Sequence, residues 1–174
     1  MRQSLQDLQT MTEKSSITYK KFYDWVTVGY LQETNIQRSR ERIVQNNEVF
    51  TSLEYVLMGL DFYPKERFLD SSISFCDTCA GEGTWLVGFA LKRMEYGMSH
   101  AESVKNLKAV ELMMDNRNAI ISRLMCKNES LKKMLETNIV CSDSLRYHYR
   151  WDNSNPYESN QDLIFNNLFE QKSQ

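Results

Sequence analysis

Proline and glycine are scarce, with two and six in 174 residues. That excludes collagen-like and other Pro/Gly-biased chains and leaves helix free to form over most of the first two thirds of the chain. No charge sign dominates: 21 Lys and Arg face 23 Asp and Glu, for a net charge of −2. A chain dedicated to nucleic acid is usually strongly basic, and this one is not, although a local basic patch remains compatible with it. No apolar run approaches the roughly 18 residues needed to cross a bilayer, so no membrane association is expected. The first residues, MRQSLQDLQTMTEKSS, hold no apolar stretch of the kind a secretory signal carries, and a cytoplasmic location is expected. Four cysteines, Cys76, Cys79, Cys126 and Cys141, are too few for a disulfide scaffold at this length and read as reduced thiols.

What is present is an ordinary globular composition, 41% hydrophobic and 25% charged, sufficient for one substantial core. Residues 1–15 read as a polar lead. Over 17–48 the spacing of Tyr19, Phe22, Trp25, Val26 and Gly29 predicts one or two helices with an apolar face. The basic run Arg38, Arg40 and Arg42 that follows reads as a solvated face, with a phosphate contact as the sharper alternative. Thr51 and Glu54 form a candidate capping box for a helix over about 52–60, which Pro64 stops. A strand over 73–76 runs through a glycine turn into a helix whose buried stripe is Trp85, Leu86, Phe89, Ala90 and Met94 and which Gly97 ends. Ser99 with Glu102 is a second capping box, for a short helix to about residue 107. Strands follow at 107–112 and 138–143, around a helix over 115–135, and Leu163 to Phe165 suggest a fourth strand. Strands alternating with helices predict an α/β fold with a parallel sheet.

The most informative stretch is Cys76-Asp77-Thr78-Cys79-Ala80-Gly81-Glu82-Gly83-Thr84. Glycines between a strand and a helix let the backbone turn sharply and let a ligand lie against it, beside the free N–H groups of the helix start. The plain alternative is a tight β–α turn with no ligand. Glu111 ends the next strand, where a carboxylate can hold a ribose diol, and Asp143 ends the third, where one could accept from an adenine amine. Asp77 precedes the turn and could hold a cationic amine. Three acids at one sheet edge suit a cofactor carrying positive charge and do not suit a pyrophosphate. The GxxxxGK[ST] pattern of a P-loop is missing.

Val49-Phe50-Thr51-Ser52, Asp77 to Thr84, Val110-Glu111-Leu112 and Asp143, in that order, resemble the motifs of S-adenosylmethionine-dependent DNA adenine-N6 methyltransferases. The resemblance covers residues 45–145. It implies a Rossmann-like methyltransferase core over 49–174, with a truncated, mostly parallel sheet, preceded by an N-terminal helical extension over 1–48. It implies that Phe50 and Thr51 form the upstream cofactor contact and that Asp77, Gly81 and Gly83 frame the methionine part of S-adenosylmethionine. Glu111 would then bind the ribose hydroxyls and Asp143 the adenine. DNA is the implied partner, and the short sheet implies a second copy or a protein partner that completes it. No metal is implied.

The chain departs from that family's pattern at Ser52 and Thr78, where proline is usual, and in lacking the catalytic (D/N/S)-P-P-(Y/F) tetrapeptide. Asn155-Pro156-Tyr157 and Asn166-Asn167-Leu168-Phe169 are partial substitutes, whose plain reading is surface loop and C-terminal tail. Two functions follow: an adenine methyltransferase, or a subunit or fragment of one, and a catalytically silent module of the same fold acting through a protein partner. Cys76-x-x-Cys79 could be a redox pair, although the glycine turn beyond it does not fit that use, and with Cys126 and Cys141 it gives poor zinc spacing. His100 reads as a first-turn helix residue. His148 lies in Arg146-Tyr147-His148-Tyr149-Arg150-Trp151, which reads as an amphipathic strand or loop or, alternatively, as a base-stacking segment.

Overall fold

The computed structural model describes residues 16–30 and 51–151. The polar lead, the basic run, Phe50, the fourth strand and both tetrapeptide substitutes lie outside the described residues.

Helix α1, Tyr19–Asp24, starts at Thr18, whose hydroxyl accepts from the Lys21 N–H at 3.3 Å. It passes directly into a π-helical turn, Trp25–Gly29. Phe22 and Val26 are fully buried on the predicted apolar face, while Tyr19 is exposed. Helix α2 is Leu53–Leu60, and its cap is Ser52, not Thr51: the Ser52 hydroxyl accepts from the Tyr55 N–H. The predicted Thr51–Glu54 capping box is therefore not formed; a single Ser52 hydroxyl cap replaces it, and Tyr55 at the third helical position has no carboxylate to complete a box. Pro64 does more than stop α2. It precedes a further helix, α3, Lys65–Leu69, where a missing N–H costs nothing.

Strand β1 is Phe75–Asp77, and helix α4 is Thr84–Glu95. Gly97 closes α4 with φ of 103°, its N–H on the Met94 carbonyl. Helix α5, His100–Val104, carries the full Ser99/Glu102 capping box. Strand β2, Leu107–Glu111, follows, then helix α6, Met114–Met125. The single helix expected over 115–135 is broken: Cys126 and Lys127 take left-handed φ of 47° and 62°, and a 3-10 turn leads into helix α7, Lys132–Asn138. Apolar periodicity on both sides of the break hid it from the sequence. Strand β3 is Ile139–Cys141.

The sheet is three-stranded and wholly parallel, in the order β1-β2-β3. Phe75 pairs with Leu107 and Ala109 with Ile139, so each neighbouring pair is joined through a helical crossover, as parallel strands require. The result is an α/β fold compatible with a Rossmann-like core. Among the described residues β1 and β3 are both edge strands.

One hydrophobic core joins α1, α2, α3, α4 and α6 to the sheet through Phe22, Val56, Phe68, Leu86, Ile120 and Ile139, among others. Central α4 touches α2 so closely that a Cβ on Gly88 would stand 2.5 Å from Val56 Cγ1. Trp85, predicted on the buried stripe, is 36% exposed instead, because it sits at the helix start beside a pocket. The largest fully buried side chain is Arg93. It donates to the carbonyls of Phe68, Asp70, Ile73 and Ser103 at 3.0–3.4 Å.

Residues 142–151, after β3, form a loop that returns to the sheet. Trp151 covers the Lys108 ammonium at 5.3 Å, and Lys108 is the register partner of Cys76. Tyr147, Tyr149 and Trp151 pack edge to face on one another, with centroids 5.1–6.0 Å apart. Tyr149 and Trp151 both hold positive φ, a conformation that bulky residues adopt only when surrounding contacts compensate.

Candidate functional site

Strand β1 delivers Asp77 to the carboxyl edge of the sheet. Its Oδ1 accepts from the Cys79 N–H at 3.1 Å, turning the chain. Burial pushes the Asp77 carboxyl above the usual carboxylate range, against the opposing pull of that N–H. The loop is then tied to the neighbouring strand twice. The Ala80 N–H donates to the Val110 carbonyl at 3.3 Å, and the Gly81 N–H donates to Glu111 Oε2 at 2.7 Å. The Gly83 N–H donates to the Ala80 carbonyl at 2.7 Å and closes the turn.

Gly81 and Gly83 have φ of 53° and 73°, in the left-handed region where a side chain is disfavoured. At Gly83 there is also no room, since a Cβ would lie 2.9 Å from Ile120 Cγ1. Gly83 caps α4 with no side chain, and the first turn of α4 carries no acid. The amide ends of a twelve-residue helix thus face the loop without a built-in anion.

Between the loop, the start of α4 and the start of α2 lies an open pocket of about 160 Å³. It is lined by Thr51, Asp77, the Cys79–Glu82 stretch, Thr84 and Trp85. This is about half the smallest volume typical of a drug-sized ligand site, so it suits one end of a cofactor. An ammonium would find Asp77 there and a carboxylate the helix start.

Of the residues expected from the sequence, Thr51, Asp77 and Gly81 line one pocket, whereas Gly83 is outside its lining and caps α4. Glu111 stands at the end of β2 but is 7% exposed and holds the fold together. Besides Gly81, it accepts from the Met113 N–H at 2.9 Å and from Asn116 Nδ2 at 3.2 Å through Oε1. Three of the roughly four acceptor positions of a carboxylate are thus taken. Asp143 lies two residues beyond β3, and its Oδ1 accepts from the Leu145 N–H at 2.9 Å. Its neighbour Ser144 approaches the pocket, with Oγ 3.7 Å from Cys79 Sγ.

Sequence reasoning missed Glu82, Trp85, Tyr30 and Arg123, all of which meet at or behind the pocket. The signal for Arg123 was a cation within the apolar stripe of Ile120, Ile121 and Leu124. None existed for Tyr30. The cysteines are free thiols, and no group of three or more His, Cys, Asp or Glu able to hold a metal occurs among the described residues. Nor is any described helix long and apolar enough to cross a membrane. His100 is a buried core residue packed at a tilt against Phe22, with ring centroids 4.7 Å apart.

No family model, curated protein or solved structure matches this chain.

Proposed function

We propose that the chain binds S-adenosylmethionine at the glycine loop and is a methyltransferase-like protein, with an adenine amine of DNA as its acceptor. The observation that carries this reading is the pocket at the glycine loop, lined by Gly81, with the half-buried Asp77 carboxylate and the start of α4, which has no side-chain cap, beside it. Asp77 would hold the cofactor's amine, the Gly81–Gly83 backbone its chain, Glu111 one ribose hydroxyl through its remaining acceptor position, and Asp143 the adenine. Bound there, the cofactor supplies an electrophilic methyl group. The chain's own part is to bind and orient, because transfer to an amine requires positioning more than a covalent intermediate.

Calorimetric titration of the purified chain with S-adenosylmethionine tests this. Saturable binding that weakens at least about tenfold in Asp77→Ala supports it, that being the scale of one lost charge-assisted hydrogen bond. A folded wild-type chain that takes up no heat overturns it. Methylated adenine on treated DNA would establish the acceptor.

A silent module acting through a protein partner is favoured by a different observation. The outward row Tyr55, Met58 and Phe62 on α2 and the turn after it is 68%, 56% and 90% exposed, and both edge strands pair with no further strand among the described residues. Contiguous apolar surface of this kind marks interaction sites. Cofactor binding without methyl transfer, together with a stoichiometric complex lost in Phe62→Ser, is the result this second reading requires.

A further inference from the structure

Behind the pocket wall, three distant parts of the chain meet at the residue between the two glycines. Tyr30, directly after the π-helical turn and 4% exposed, donates its hydroxyl proton to Glu82 Oε2 at 2.7 Å. Arg123, on α6 and 4% exposed, donates from Nη1 to the Glu82 carbonyl at 2.7 Å and from Nη2 to the Val26 carbonyl at 3.3 Å. The same Nη1 stands 3.8 Å from Glu82 Oε2. The guanidinium lies over the Tyr30 ring at 4.5 Å from its centroid. Tyr30 and Glu82 are 52 positions apart, and Arg123 and Glu82 are 41 apart.

Glu82 also lines the pocket. A loop with two left-handed glycines has many conformations open to it, and fixing one of them needs an anchor. Buried and charged, the Tyr30–Glu82–Arg123 knot provides such an anchor, since a buried polar network is stable chiefly when all its members are in place.

We propose that Tyr30, acting through Glu82, is a positioning residue for the glycine loop, so that docking of the 16–30 segment and the ligand-ready form of the loop are one coupled equilibrium. The inference rests on the pocket's being a ligand site, but its first consequence needs no ligand. Coupling of this kind is reciprocal: a docked segment tightens the loop, and a filled pocket tightens the segment.

Amide hydrogen exchange on the full chain tests it, with the Gly81 and Gly83 N–H groups as reporters, since both are hydrogen-bonded in the closed loop. Tyr30→Phe should accelerate exchange at these two amides by about tenfold relative to wild type, the scale of one lost buried hydrogen bond to a charge. Leu135→Ala, a buried truncation on α7 remote from the knot, controls for general destabilisation. Glu82→Gln keeps an acceptor for Tyr30 and provides a second perturbation of the knot should Tyr30→Phe fold poorly. Faster exchange at Gly81 and Gly83 in either knot variant than in Leu135→Ala, compared at equal stability, supports the coupling. Equal exchange overturns it. Saturating S-adenosylmethionine should in turn slow exchange over residues 18–30 in wild type but not in Tyr30→Phe. If wild type binds none, the functional reading falls, and the two glycine amides alone decide the coupling.

Discussion

His100 shows how burial converts a common side chain into a pH-dependent weight on the fold. Packed at a tilt against Phe22 and 3% exposed, it has its pKa pushed down to about 4, because burial disfavours its charged form. The unfolded chain takes up this proton near the ordinary value of 6.5, before the folded chain does. Its contribution is therefore fully present above about pH 6.5 and is lost as pH falls toward 4. The loss amounts to roughly 3 kcal/mol once both states are protonated. Chemical denaturation at pH 7 and pH 4 should show a larger acid loss in wild type than in His100→Gln. Arg93 is the opposite case, a buried cation satisfied by four carbonyls and stacked on Phe89. Arg93→Met takes its donors away from those carbonyls, of which Asp70's still accepts from the Ile73 N–H, and should cost about 3 kcal/mol in denaturant unfolding. Arg93→Lys should recover only part of that, since a point ammonium cannot span the four acceptors.

Helix α4 is the element on which the others assemble. Gly88 lets α2 approach it, and Gly83 lets it begin against Ile120. Gly88→Ala should destabilise by about 1–3 kcal/mol through overpacking. Adding Val56→Ala should give a double variant less damaged than the sum of the singles, because the second change removes the methyl that the first one strikes. At this scale much was legible in the sequence. The alternation that gave β1, β2 and β3, the Ser99–Glu102 box and the stop at Gly97 are local signals, and the structure repeats them within a few residues. The break at Cys126 was not legible, because a left-handed cysteine carries no sequence mark. Nor was Trp85's exposure, since helical spacing says which residues share a face and not what lies opposite. The loop acids were found by type and place, but Glu111's bonds to Gly81, Met113 and Asn116 depend on a tertiary approach that no spacing encodes.

For the whole molecule, the single core matters more than any element. The described N-terminal residues contribute Phe22 and Val26 to the same cluster as β2 and α6, so a chain beginning after residue 30 would expose that cluster and lose Tyr30 from the loop. Such a truncation should lower the midpoint of thermal unfolding by several degrees or more, as loss of two fully buried apolar side chains implies for a domain of this size.

The link from Gly81 to Glu111 spans 30 positions of chain, and the two parallel strand pairings span similar lengths. A chain emerging from the ribosome completes its glycine loop well before the carboxylate that fastens it has been made. Until β2 arrives, helix α4 has no paired sheet to lie on, and the Ala80 and Gly81 amides have only water to bond to. Order in this molecule therefore comes late and all at once: folding must wait for distant contacts, which makes it slower than the helix content alone would suggest.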